Sequence, residues 1–555
     1  MPWTLYRFIV VELIKLLAMA SLVLVLLVST AVAIKPLIDG FLEPGALLRF
    51  VALMAPTMLQ FALPFAAALA STLVFSRMTA DNEIMACSAG GLSYLSLFLP
   101  VLYLGLLLML GLFHLSNSIA PAFNQQAAAV IQKDIIRVMV NQLEQGQAFK
   151  TGRTVIYADS AVEHQPTTEE IQRVLDAGSR VPPFRAIVLQ NAAVGILGDQ
   201  SRIVREGTAR TANIYLFRDG RRTFATAYLE DVSYYDALRG DLLYVRQSEW
   251  AALPIDTSLR DRPQFLSRNQ LRQLAANPDR FDRVSRARQQ LLRAMARSQL
   301  ILNIEASLKQ EGQVVELMGM GEEQYRIYAT GFTRTENGLD LRGNQAGAVR
   351  IEMTRSGGIV RHFIAESVRI GARQDEFDME PWAIIELVNT RVLDPRSSGR
   401  GTEHATLTLP ALRWPQSISN VHQQAPLETL GSIAQQNHPH DNRVVTALMQ
   451  LQDESVRLLR ELSSQLHIRG ASAVTCLLVL TLGALLAIRM QGRSPLVVYF
   501  WSFMLTLLVV IMTHAGRSVC MDTRLPLTVG AGTIWLGNAA LAGVLGWQFM
   551  LLRRH

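Results

Sequence analysis

Cysteine is scarce: three in 555 residues, which excludes a disulfide-built scaffold. Charge is also thin. Asp, Glu, Lys and Arg make up 18% of the chain, below the roughly 25% of an average soluble protein, so part of the sequence must carry almost none. Lysine is nearly absent, with only Lys15, Lys35, Lys133, Lys150 and Lys309, so arginine supplies most of the +7 net charge. No G-x-x-x-x-G-K-[ST] phosphate loop, H-E-x-x-H or G-x-S-x-G occurs, so no motif marks a bound nucleotide, a zinc protease or a serine hydrolase. No cofactor is expected. Half of all residues are hydrophobic, which rules out a disordered chain.

The apolar residues are concentrated in six stretches of about the 20 residues needed to cross a bilayer. They run over 16–34, 50–76, 92–115, 470–488, 495–516 and 525–552. This predicts an integral membrane protein of six transmembrane helices, three on each side of a long polar region. Arg7, the first apolar run and Ala31-Val32-Ala33 imitate a signal peptide, but the run is long for one and Glu12 and Lys15 interrupt its start. An uncleaved first span is expected. Short-loop arginines (Arg7, Arg77, Arg489, Arg493, Arg553, Arg554) place both chain ends in the cytoplasm and the long region outside it. Membrane rather than nucleic acid then accounts for the basic balance.

The polar region alternates. Segments such as FRAIVLQNAA (184–193), TANIYLF (211–217) and RTFATAYL (222–229) have strand composition, and Asp219-Gly220 marks a hairpin. A second block follows: YRIYATGF (325–332), a turn at Asn337-Gly338, alternating Val349, Ile351 and Met353, then IVRHFIAESVRI. Frequent two-residue turns predict an antiparallel sandwich or open jelly roll. Two helices interrupt it. The Arg- and Leu-rich stretch Asn269–Gln299 reads as a basic helix facing water. Asn442–Gln465 reads as a helix running into the fourth span, with Leu448, Leu451, Leu459 and Leu462 on one side. His438-Pro439-His440-Asp441 reads as a solvated linker rather than a metal cluster. Pro56, Pro64 and Pro100 within spans are candidate hinges or tolerated kinks.

Three spans, an outer β region and three more spans resemble the lipopolysaccharide-export permease family LptF/LptG. The segment RMTADNEIMACSAGGLS (77–93) is similar to the family's cytoplasmic segment, an Asn-Glu pair before a small-residue run. Glu461-Leu462, Leu466-His467, Arg469 and Arg489–Ser494 resemble a second family region. The β block near 265–410 is additional and weakly resembles the LptA/LptC type of lipopolysaccharide-binding fold, with an unrelated β insertion as the alternative.

The resemblance implies a permease in the cell inner membrane that extracts lipopolysaccharide or a related glycolipid. Its expected partners are a cytoplasmic LptB-like ABC ATPase, a second LptF/LptG-like subunit and periplasmic LptC/LptA-like proteins. It implies a coupling helix at about 77–93 with Arg77, Asn82 and Glu83 in ATPase coupling; Asp81 is an alternative N-cap. Lys35, Arg49 and Arg517 become candidate lipid-phosphate contacts, with a snorkelling anchor as the alternative for Lys35. The expected division is 1–116 (helices 1–3), 117–260 (jelly-roll-like domain), 261–425 (inserted region), 426–469 (helical connector) and 470–555 (helices 4–6).

Overall fold

The computed structural model describes residues 3–38, 45, 47–151, 154–176, 182–197, 203–219, 222–236, 241–254, 263–310, 314–319, 323–335, 338–343, 348–355, 358–373, 380–393, 401–418, 422 and 424–552. The chain divides into two compact units. The first comprises residues 1–276 and 459–555, the second 277–458.

Among the described residues, six helices are long and apolar enough to cross a membrane, three before and three after an extensive antiparallel β region. In the first unit, α1 spans Trp3–Ile38 and α2 Leu47–Ala80. A short α3 (Glu83–Ala89) precedes α4 (Tyr94–His114). Both α2 and α4 continue unbroken through their prolines (Pro56, Pro64 and Pro100). Past a π turn at Leu115–Ile119, the helix resumes as α5 (Ala120–Glu144), at the start of the expected 117–260 domain, where no helix was expected. The Asn117 carboxamide donates to Phe113 O at 2.8 Å, satisfying a carbonyl next to the irregular turn.

The end of α5 packs on a seven-stranded antiparallel sheet. Its strands are β1 (Phe149–Thr151), β2 (Thr154–Tyr157), β3 (Ser160–His164), β4 (Arg185–Leu197), β5 (Ile203–Asp219), β6 (Arg222–Asp236) and β7 (Asp241–Pro254), with the short α6 (Thr168–Asp176) between β3 and β4. The order is β1-β2-β4-β5-β6-β7, with β3 also on β4. Side-chain alternation gives each face its own cover. Ile187, Leu189 and Leu216 pack with Val140 and Leu143 of α5, whereas Ala186, Tyr215 and Phe217 pack with Val174 of α6. Asp219 pairs with Arg222 at the expected hairpin; Gly220 lies outside the described residues.

In the second unit the Arg-rich stretch is not a solvated helix. Asn277-Pro278 divides it into α7 (Arg268–Ala276), which belongs to the first unit, and α8 (Asp282–Lys309). Leu300, Ile301, Ile304 and Leu308 of α8 are buried against the second sheet. The apolar residues recur at helical spacing, so one face is core while the arginines occupy the rest.

That sheet has eight strands: β8 (Val314–Met318), β9 (Glu323–Tyr328), β10 (Gly331–Thr335), β11 (Gly338–Arg342), β12 (Val349–Arg355), β13 (Gly358–Arg373), β14 (Trp382–Leu393) and β15 (Thr402–Arg413). The segment expected as one strand at 325–332 is split between β9 and β10, and Asn337 lies outside the described residues. The sheet curls back on itself. One edge of β13 pairs with β12 and then β11, the other with β14, and β15 meets β8 at Arg413 and Met318. Its interior is filled by Val349, Ile351, Phe363, Ile385 and Leu387 together with the α8 leucines.

After α9 (Leu427–Asn437), α10 runs without interruption over Asn442–Arg489, as expected. Its apolar stripe is Leu448, Leu451, Leu458 and Leu462; Leu459 is exposed instead. Helices α11 (Pro495–Met521) and α12 (Leu527–Leu552) complete the first unit.

Candidate functional site

At one end of the helical bundle, Ile9, Leu13, Phe75, Met78, Leu97 and Phe98 form a continuous core. Phe98 stacks on Phe75 at 6.1 Å and meets Phe549 edge-on at 5.0 Å, and Tyr6 and Ser96 join α1 to α4 through hydroxyls 2.5 Å apart. Onto this platform the chain places α3. Helix α2 ends at Ala80, and the Asp81–Asn82 turn reverses direction because Asn82 takes φ +55°, a left-handed conformation that asparagine tolerates better than most residues. Gly90 donates its N–H to Ala86 O, and Gly91 at φ +83° ends the segment. The expected coupling helix at 77–93 is therefore a helix end, a turn and a seven-residue helix.

One fully buried side chain seats it, Ile84 at 1% exposed, with Cys87 packed partly buried against the same core, while Met85, one residue on from Ile84, is 59% exposed. Asp81 does not cap the helix. Asn82 holds the N-cap position, without a side-chain cap, and the Asp81 carboxylate lies 3.7 Å from Arg77 Nε. Arg77 and Glu83 both line one cavity of about 270 Å³, together with Glu12 of α1 and apolar residues including Phe8, Leu16 and Val74. Asn82 is not among its lining residues. Glu12, which the sequence suggested only as the edge of a span, is thus the cavity neighbour of Arg77 and Glu83 that sequence reasoning missed. It also pairs with Lys15 at 3.2 Å, and that i, i+3 spacing was the available signal.

At the opposite ends of α1 and α2, Lys35 occupies the last turn of the first and Arg49 the first turn of the second, both exposed. Ala33, Phe50 and Met54 pack these ends together. Arg517 differs from them, because its guanidinium already donates to Glu461 Oε1 at 3.1 Å.

That contact belongs to a series of polar locks along α10. Arg460 donates to four carbonyls of the α11–α12 connection: Cys520 at 3.2 Å, Asp522 at 2.8 Å, Thr523 at 3.4 Å and Leu525 at 3.0 Å. Trp535 Nε1 donates to His467 Nδ1 at 3.2 Å. Arg469 donates to Leu266 O at 2.7 Å and Gln264 O at 3.2 Å, and Asn538 bridges Thr475 Oγ1 and Ala471 O. Each joins α10 to another part of the first unit. The second sequence region compared with the permeases (Glu461, His467, Arg469) is thereby a set of fastenings.

The family model of the lipopolysaccharide export system permease LptF/LptG matches residues 7–198. Over this stretch, about a third of its length, the chain is similar to the LptF/LptG family. The match takes in α1 to α4, including α3 and every lining residue of its cavity except Pro495 of α11, and ends just past β4. The second unit and the last three helices lie beyond it. No curated protein matches the chain. The LptF/LptG family consists of membrane permease subunits, not enzymes, and a multi-pass membrane protein of six spans agrees with that.

Proposed function

We propose that the chain is a permease subunit of an ABC exporter that lifts lipopolysaccharide or a related glycolipid from the inner membrane and passes it to a periplasmic β-fold bridge. A separate cytoplasmic LptB-like ATPase supplies the energy. The observation that carries this reading is α3: within the family-matched stretch, one buried isoleucine holds a short helix on the bundle and leaves Met85 exposed for a partner. A carboxylate at Glu83, sharing a cavity with Arg77 and Glu12, suits an ion pair with a basic groove of that partner. Asn82 acts by setting the turn.

The physics of the cargo supports two subunits. Exposing an acyl chain to water costs about 0.8 kcal/mol per methylene, so a multi-chain lipid needs an apolar enclosure along its path. Six spans are few for that, and exposed Leu22, Val23, Leu26 and Leu27 on α1 give an apolar wall suited to a second LptF/LptG-like subunit. Lys35 and Arg49 would meet lipid phosphates at the outer end, with Arg517 a weaker candidate because Glu461 holds it. In this reading both termini are cytoplasmic. The outer region comprises a jelly-roll-like domain at 117–260 and an LptC-like insertion at 261–425, joined through a connector at 426–469, and periplasmic LptC/LptA-like proteins receive the lipid.

The test is Glu83→Arg in the chain reconstituted with its ATPase and second subunit. Lipid-stimulated ATP hydrolysis should fall at least tenfold while the complex still assembles. Unchanged turnover removes the coupling role. A complex that never forms with any ATPase favours a membrane-anchored scaffold instead.

A further inference from the structure

The second unit contains a cavity of about 340 Å³ between α8, the segment following β15 and the end of α9. Gln299, Asn303, Gln416 and Asn437 bring four carboxamides to it, and Trp414 an indole. None of the described residues lining it is Asp, Glu, Lys or Arg. His438 closes one side. Expected as part of a solvated linker, it is only 3% exposed, and its Nδ1 has no hydrogen-bond partner among the described residues. Burial foremost, together with His422 and Arg334, lowers its pKa against the pull of Asp441, so the imidazole is uncharged at neutral pH. A buried, unpaired ring nitrogen costs about 1–3 kcal/mol and calls for a partner.

We propose that this cavity binds a neutral saccharide. A pyranose ring presents a flat C–H face and a rim of hydroxyls that each donate and accept. The indole of Trp414 matches the face. Carboxamides match the rim, because each offers both a donor and an acceptor. Gln299 Nε2 donates to Asn303 Oδ1 at 2.8 Å, which orients both groups and leaves Gln299 Oε1 to accept and Asn303 Nδ2 to donate. Charged ligands are disfavoured, since an ion brought into a cavity without a countercharge loses hydration with no compensation. The volume lies near the lower end of the roughly 300–1,000 Å³ of small-molecule sites, which fits one or two sugar rings. The sugar is either free or the head of a glycolipid, and the recognition chemistry is the same. The site lies outside the family-matched residues and does not depend on the permease reading.

The test uses the full chain in lauryldimethylamine oxide, a detergent without sugar, and saturation-transfer NMR. The probes are the methyl glycosides of glucose, galactose, mannose and maltose, and monogalactosyldiacylglycerol in mixed micelles. Ring-proton transfer from at least one probe is expected, with affinity at least tenfold weaker in Trp414→Ala and Gln299→Leu and retained in Trp414→Phe. Transfer from a methyl glycoside identifies a free-sugar site, and transfer from the lipid-linked sugar alone identifies a headgroup site; either supports the proposal. Gln299→Leu keeps a good helix former in α8, so it decides the matter even where Trp414→Ala does not fold. Absence of ring-proton transfer from every probe, or transfer unaltered by Gln299→Leu, overturns it.

Discussion

Asn82 shows how much one backbone angle can decide. Its φ of +55° turns the chain between α2 and α3, and side chains branched at Cβ resist that conformation. Asn82→Val should destabilise the turn by about 1–2 kcal/mol, whereas Asn82→Gly should be tolerated. Maleimide labelling of Cys87, half-buried on α3, measures this, and it should speed up in the valine variant alone. Asn191 and Asn389 also adopt positive φ, and there the strand ladder skips a pair. At this scale the sequence discloses residue type and little else. Arg77, Glu83, Lys35 and Arg49 could be singled out because charge beside an apolar run is conspicuous. The Arg460 clamp could not, because its four acceptors are backbone carbonyls about sixty residues away, which no side-chain pattern reveals.

Elements were more legible where one face is buried. The strands at 184–193, 211–217 and 222–229 alternate because each side of the sheet meets a different helix. Helix α5 went unseen because its mixed polar composition gives no clear period, and α8 was placed in water because its arginines mask a leucine face. Two predictions belong here. Removing the clamp with Arg460→Ala should free the α11–α12 connection. Charge-assisted hydrogen bonds of this kind contribute about 2 kcal/mol, so labelling of buried Cys520 in a Cys87→Ser background should quicken about thirtyfold.

The second concerns α6, whose start is a capping box between Thr167 and Glu170, with His164 and Tyr215 also bonded to the carboxylate. Burial raises the Glu170 pKa, but the Thr167 N–H, His164 and the Thr167 hydroxyl outweigh it and hold the carboxyl below its ordinary value. A depressed folded-state pKa means that this contribution is complete above the unfolded value, roughly 4.3, and is lost as pH falls through the folded one. Hydrogen exchange of α6, corrected for intrinsic rates, should therefore lose protection between pH 6 and pH 3. Glu170→Gln should start low and change little.

Across the whole molecule, the two units have separate cores, one of helices and an open sheet, the other of a curled sheet and α8. Leu300 is fully buried in the second core, and Leu300→Ala should cost about 3 kcal/mol there. Hydrogen exchange should show β8–β15 opening more readily, with α1–α4 unchanged. The cysteines offer a different kind of access. Cys476 and Cys520 are sealed inside, and only Cys87 reaches the surface, one turn from Ile84. The unmodified chain thus arrives with a single handle for a spectroscopic label, sited on the segment whose docking most needs watching.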